Sequence, residues 1–304
     1  MTRQNIAMEP RRFAEYEGAV RDAGGVLVPL DSSVEALIWT DYSRPAALRE
    51  TLDSNPQLKW VQLPYAGVDA FVDILDRDVV FTCAKASFSE PVAEHALALT
   101  LALARKIPTR VKASTWGEKF AFSLFDAKVV VVGGGGIAQQ LISLLQPFRA
   151  DITVISKHGR PLPGVRHVGQ LKELDEAIAE ADVVVVACSL TPETDSLFDY
   201  ARIAKLRQSA YLVNIARGRH VVLDDLIRAL DEGLLAGAAL DVTHPEPLPD
   251  DHHAFGRDDL IITPHTADTN AQVLRLFSNR LRANVAAYLA YEPLEGLVSA
   301  ELGY

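Results

Sequence analysis

Short Val/Ile/Leu-rich runs alternate along the chain with longer stretches of helical periodicity. The runs that read as strands are "GGVLVPL" (24–30), "EALIW" (35–39), "LKWVQL" (58–63), "VVFTC" (79–83), "KVVVV" (128–132), "DITVIS" (151–156), "DVVVVACS" (182–189), "AYLVNIA" (210–216), "GAALDV" (237–242) and "LIITP" (260–264). Several are apolar at consecutive positions, so both sides of the pleat are covered, as in parallel strands flanked by helices. Strands alternating with helices predict an α/β chain. "PVAEHALALTLALARKI" (91–107) predicts a long, mostly buried helix, with Pro91 at its first position, Glu94 in the first turn and Arg105 and Lys106 near its end. Helical periodicity resumes in "NAQVLRLFSNRLRANVAAYLA" (270–290). The pattern holds neither tandem repeat nor low-complexity segment.

Length and charge narrow this picture. The 304 residues suit about two domains, and 49% hydrophobic with 23% charged content is ordinary for a globular chain. A net charge of −10 argues against nucleic acid, whose phosphates call for a basic surface. "ALALTLALA" (96–104) is too short to span a bilayer, which takes ~20 residues, and "MTRQNIAMEPRR" lacks the apolar core of a signal peptide. Cys83 and Cys188 have neither metal-site nor disulfide spacing. A cytoplasmic protein without membrane contact is the expectation.

The run 128–132 breaks into four glycines. A strand, then G-x-G-x-x-G/A, then a helix is the arrangement that holds a dinucleotide pyrophosphate. Gly133-x-Gly135-x-x-Ala138 is the register that ends on a small residue; Gly134-x-Gly136-x-x-Gln139 does not. The following helix, "IAQQLISLLQPF", would point its positive end at the phosphates. A flexible turn is the plain alternative.

An NAD site places a carboxylate after the next strand, to hold the adenosine ribose hydroxyls. Here "DITVISKHGRP" offers Ser156, then Lys157, His158 and Arg160. A lysine ~4 Å from a 2′-phosphate gains about 1 to 4 kcal/mol, depending on how wet the site is. That favours NADP(H) over NAD(H) by roughly tenfold to several hundredfold. A solvated basic loop is the alternative.

Ligands of open parallel sheets bind beyond the carboxyl ends of the strands. The residues there are Gly133, Ser156, Ser189, Arg217, Glu246 and His265. An Arg, a Glu and a His can therefore face the glycine turn. Histidine exchanges a proton near neutrality, a glutamate on its other nitrogen would fix the tautomer, and arginine offers a planar fork to a carboxylate. That set suits hydride transfer to a carbonyl beside a carboxylate. His244, His252, His253 and His265 match no familiar zinc spacing, so no metal is expected.

These residues resemble the D-isomer-specific 2-hydroxyacid dehydrogenases. The likeness rests on "LKWVQLPYAGVDAF" (58–71), "PVAEHALALTLALAR" (91–105), "VVVVGGGGIA" (129–138), "ADVVVVACSLTPETDSLF" (181–198), "LVNIARGRHVVLDDLIRAL" (212–230), "AGAALDVTHPEPL" (236–248) and "LIITPHTA" (260–267). It implies two Rossmann-like doubly wound parallel-sheet domains with the active site in the cleft between them. Residues 1–96 plus 270–304 would form a flavodoxin-like substrate-binding domain, and 97–269 an inserted dinucleotide-binding domain. Arg217 would bind the substrate carboxylate and carbonyl, His265 would be the acid/base and Glu246 its partner. Tyr65, Ala66 and Gly67 would offer N–H groups to the carboxylate. The cofactor set would be Gly133, Gly135, Gly136, Ile137, Ser156, Lys157, Arg160, Ser189, Thr194, Ala216 and Asp241, the last near the nicotinamide carboxamide. A homodimer through the cofactor domain is implied as well.

The chain departs from the family pattern at several points. Ser156 stands where an acidic residue is usual, as in NADP-preferring members, and Ala138 replaces the third glycine. Ser189 replaces a common proline, "FTCAKASFSE" lacks an asparagine many members carry, and the link 114–128 is short. Glu246 rather than Gln argues against the formate dehydrogenase branch. The expected activity is NADP(H)-dependent reduction of a small 2-oxo acid, such as glyoxylate or hydroxypyruvate. A dinucleotide-sensing corepressor-like protein on the same fold keeps the same Arg, Glu and His; a chain without long disordered extensions favours the enzyme.

Overall fold

Each apolar run named above contains a strand in the computed structural model, which describes residues 4–299. Contacts divide the chain into two units, one running to Phe88 and resuming at Asp268, the other spanning Ser89–Ala267.

The first unit is built on a five-stranded parallel sheet of β1 (Asn5–Glu9), β2 (Val26–Leu27), β3 (Ala36–Trp39), β4 (Trp60–Gln62) and β5 (Val80–Thr82), in the order β2-β1-β3-β4-β5. This is the flavodoxin-like order. Leu37, Trp39, Val61, Leu63, Phe71 and Phe81 share its core. The helix Asn270–Ala290 packs on the helix Ala14–Asp22 of the same unit. Thr269 starts the later helix with a reciprocal cap, accepting from the Gln272 N–H at 3.2 Å while its own N–H donates to Gln272 Oε1 at 2.9 Å. Its buried Asn284 donates to Gln62 Oε1 at 2.7 Å, and Thr82 donates to the same oxygen at 2.9 Å. A buried amide left unpaired costs about 1–3 kcal/mol, so this network ties the helix to β4 and β5 specifically. Residues 1–3 and 300–304 of the expected substrate-binding domain lie outside the described residues.

The second unit holds a seven-stranded parallel sheet: β6 (Lys128–Val132), β7 (Asp151–Ile155), β8 (His167–Gly169), β9 (Val183–Val186), β10 (Tyr211–Asn214), β11 (Gly237–Leu240) and β12 (Leu260–Ile262). Their order is β12-β11-β10-β9-β6-β7-β8. Counted from β6, this is the dinucleotide-binding order with one strand added, and the order reverses between β6 and β9. The continuous valines explain the layering. Val129 and Val131 pack with Leu99, Leu103, Leu141 and Ile142 on one face, while Val130 and Val132 pack with Ile178, Leu226 and Phe198 on the other. Each buried valine contributes about 1.5–3 kcal/mol, so both faces of the strand are held under the flanking helices.

The expected helix 91–107 is the helix Ser89–Ala104, followed by a short helix Ile107–Lys112. All of the former belongs to the second unit, where it packs on β10, β11 and the helix Gly136–Leu145. The expected domain boundary at 96/97 therefore falls inside this helix.

Candidate active site

The strand order reverses between β6 and β9, and the glycine turn follows β6 at the carboxyl edge of the second sheet, where parallel sheets bind their ligands. Gly133 has φ +123°, and a Cβ there would stand 2.4 Å from the Ala187 carbonyl oxygen, so the position admits glycine alone. A Cβ on Gly135 would meet no atom within 4 Å, and Gly135 caps the helix Gly136–Leu145 without a side-chain cap. The unpaired N–H groups of that first turn, Gly136 and Ile137 among them, are open to an anion. Ala138 is fully buried, so the third position of the motif needs a small residue. A pyrophosphate fits this cradle.

Past β7, Ser156 lies beside Gly134, and its hydroxyl accepts the Gly159 N–H at 3.3 Å. Lys157 and Arg160 are exposed. The Glu193 carboxyl is held below its usual range by the Thr191 hydroxyl first and, more weakly, by the Lys157 charge. The loop after β9 is closed by Thr194, whose hydroxyl accepts from the Thr191 N–H and donates to the Ser189 carbonyl, each at 2.8 Å.

Past β10, the buried Asn214 organises the turn that carries Ala216 and Arg217. Its amide donates to the Arg217 carbonyl at 2.8 Å and its oxygen accepts the Ala216 N–H at 3.1 Å. The half-buried Arg217 donates to the Ala216 carbonyl at 2.8 Å. A Cβ on Gly218 would stand 1.9 Å from the Thr243 carbonyl oxygen, so the Arg217 turn lies directly against the loop that follows β11.

That loop brings Glu246 to His265, Oε1 to Nδ1 at 2.6 Å, and the Thr243 N–H supports Oε2 at 3.4 Å. His265 adopts φ +49°, an uncommon region for a residue with a side chain, and its N–H donates to the Asp241 carbonyl at 2.8 Å. The Glu246 hydrogen bond raises the His265 ring above its ordinary pKa, against the opposing effects of burial and of the Arg217 charge. The same bond, outweighing burial, lowers the Glu246 carboxyl. With Nδ1 bound to Glu246, Nε2 is the ring nitrogen that can exchange a proton.

Asp241 is 1% exposed. Burial pushes its carboxyl up, but hydrogen bonds from His95, Thr263 and the Thr266 N–H outweigh it and hold the group below the carboxylate range. Thr263 donates at 2.6 Å, and His95 Nε2 lies at 3.2 Å.

The second unit thus gathers Arg217, Glu246, His265 and the expected cofactor residues at one sheet edge. Tyr65, Ala66 and Gly67 belong to the first unit, just past β4. Tyr65 is 41% exposed and makes ring contacts with Tyr42 and Phe88 at 5.8 and 6.1 Å. Among the described residues, no backbone hydrogen bond uses the N–H of Tyr65, Ala66 or Gly67. Sequence reasoning missed His95, Asn214, Gly218, His220 and Thr263. Asn214 alone had a local signal, as a polar residue inside an apolar strand.

Residues 97–267 match the model of the D-isomer specific 2-hydroxyacid dehydrogenase NAD binding domain. The chain is 34% identical over 298 residues to a protein from the proB 3′ region of Corynebacterium melassecola, covering 95% of this chain and 97% of that one. It is 29% identical to the human glyoxylate reductase/hydroxypyruvate reductase, covering 94% and 87%. The crystal structure of a D-isomer specific 2-hydroxyacid dehydrogenase from Xanthobacter autotrophicus Py2, in complex with NADPH and MES, superposes over the full length of both chains with a TM-score of 0.88 at 28% identity.

Proposed function

The chain belongs to the D-isomer specific 2-hydroxyacid dehydrogenase family and is an oxidoreductase that binds a nicotinamide dinucleotide; from this premise we propose that it reduces a small 2-oxo acid of the glyoxylate or hydroxypyruvate kind to the D-2-hydroxy acid, with NADPH preferred. The observation that carries the reading is the 2.6 Å contact between Glu246 and His265, on the sheet edge that also holds Arg217 and the glycine cradle.

The nicotinamide supplies a hydride when bound. Gly133, Gly135 and the N–H groups of Gly136 and Ile137 hold the pyrophosphate. Ser156, Lys157 and Arg160 hold the 2′-phosphate, and the NADPH-bound relative supports that choice. Ser189, Thr194 and Ala216 contact the dinucleotide, and Asp241 lies near the nicotinamide carboxamide. Arg217 binds the substrate carboxylate and carbonyl through its planar fork. His265 donates the proton from Nε2 to the carbonyl oxygen as it becomes an alkoxide, and Glu246 steadies the imidazolium until then.

A homodimer through the second unit fits as well. Ile107, Val111, Trp116, Phe120 and Phe125 are exposed along one stretch of it, with Trp116 93% exposed. Exposed aromatic side chains gathered in one segment suit a partner surface.

The test is the loss of absorbance at 340 nm with NADPH or NADH and a panel of glyoxylate, hydroxypyruvate, pyruvate and phenylpyruvate. Turnover of glyoxylate and hydroxypyruvate with NADPH ahead of NADH is expected. Tight dinucleotide binding without turnover of any acid would favour the sensing protein instead.

A further inference from the structure

His220 is a fully buried imidazole that the chemistry above leaves unused. It ends the one-turn helix Gly218–His220, which begins directly after Arg217. Its ring spans the loop that follows β9: Nδ1 lies 2.8 Å from the Thr194 carbonyl oxygen and Nε2 lies 3.1 Å from that of Cys188. Both oxygens can only accept, and a neutral imidazole has one N–H, so the ring donates to one of the two carbonyls while packing against the other.

The main chain completes the connection. The Ser196 N–H donates to the Arg219 carbonyl and the Phe198 N–H to that of His220, each at 2.8 Å. One side of the turn is thus fastened to the loop of Ser189 and Thr194, and Gly218 presses its other side against Thr243.

We propose that His220 is a positioning residue that couples dinucleotide binding in the 188–194 loop to the placement of Arg217. The inference rests on the reading of that loop as a cofactor contact and of Arg217 as the carboxylate anchor. When the loop closes on a dinucleotide, the ring carries its position to the Arg217 turn, so the anchor is set once the reductant is in place.

The test compares His220→Leu, which removes both ring nitrogens, with His220→Asn. The Asn amide nitrogen is as many bonds from Cα as Nδ1 and can donate to Thr194. His220→Leu should weaken NADPH binding and raise the KM for hydroxypyruvate, each about tenfold, and His220→Asn should recover most of both. Unchanged constants in His220→Leu, or equal losses in both variants, overturn the proposal. Amide hydrogen exchange on the wild-type chain covers the case in which the leucine variant fails to fold. NADPH alone should slow exchange at 217–221 together with 188–196, and protection confined to 188–196 overturns the coupling. A wild-type chain that binds no NADPH overturns the functional reading along with it. Normal binding with an unaffected leucine variant overturns the coupling alone.

Discussion

Replacing Gly218 by Ala tests whether the Arg217 turn and the Glu246 loop act as one unit. The added Cβ would stand 1.9 Å from the Thr243 carbonyl oxygen, whereas real Cβ contacts essentially never fall below 3.0 Å, so one backbone must retreat by at least the difference, 1.1 Å. Thr243 cannot move alone, because its N–H reaches Glu246 Oε2 and its hydroxyl donates to the Pro245 carbonyl at 2.8 Å. The displacement therefore reaches either the Glu246–His265 pair or Arg217. A misplacement of ~1 Å costs on the order of 10²-fold in rate. Overpacking adds about 1–3 kcal/mol of instability, roughly 2–4 °C of melting temperature for each kcal/mol. The assay is kcat for hydroxypyruvate at saturating NADPH, with a thermal melt and an NADPH titration alongside. A hundredfold lower kcat in a folded variant that still binds NADPH is the expected result. Wild-type kcat in Gly218→Ala would refute the argument, since the backbone contact would then be without consequence for the chemistry.

Other expectations follow from the same geometry. With His265 as the proposed proton donor, reduction would need its imidazolium, whose pKa the Glu246 contact raises, so the rate should hold below that pKa and fall as pH climbs through it. In Glu246→Gln this alkaline limb should move toward lower pH in a kcat/KM profile; an unmoved limb would assign it to another group. Ser156→Asp places a carboxylate where a 2′-phosphate is expected, and the NADPH-to-NADH ratio of kcat/KM should fall by tenfold or more, as a repulsion of about 1–4 kcal/mol dictates. An unchanged ratio would remove Ser156 from the cofactor site. Trp116→Arg puts a charge on the exposed apolar stretch, and sedimentation velocity should show a smaller species than wild type. Identical sedimentation would place any self-association elsewhere.

Much of this fold is legible in the sequence because its strands are buried on both faces. "KVVVV" and "DVVVVACS" leave little choice, and the observed β6 and β9 lie within them. Two strands escaped notice for opposite reasons. In β1 the buried positions are only Ile6, Ala7 and Met8 between polar neighbours, although it is an inner strand of its sheet. In β8, His167–Gly169, the strand is a three-residue edge that stays partly solvated.

The site was legible where it depends on position along a strand. Arg217, Glu246 and His265 could be picked out because each follows a strand-like run, and a parallel sheet collects such residues at one edge. His95 could not, since it reaches Asp241 from a helix more than a hundred positions earlier, through packing that no local pattern encodes. Gly218 reads as an ordinary turn glycine until the Thr243 carbonyl is seen against it. His220 reads as a polar residue after an arginine, and its two carbonyl contacts depend on how the 188–198 loop returns to the 217–222 strip.

The proposed role of His265, oriented by Glu246, is to give the proton that completes reduction. Its most direct test is a single-turnover measurement of NADPH oxidation by hydroxypyruvate in wild type and His265→Ala, with NADPH binding measured on the same samples. The expected result is a rate lower by about 10²–10⁴-fold in the variant, the usual contribution of a positioned acid/base, with dinucleotide affinity retained. A His265→Ala protein that binds NADPH and oxidises it at the wild-type rate would contradict the assignment.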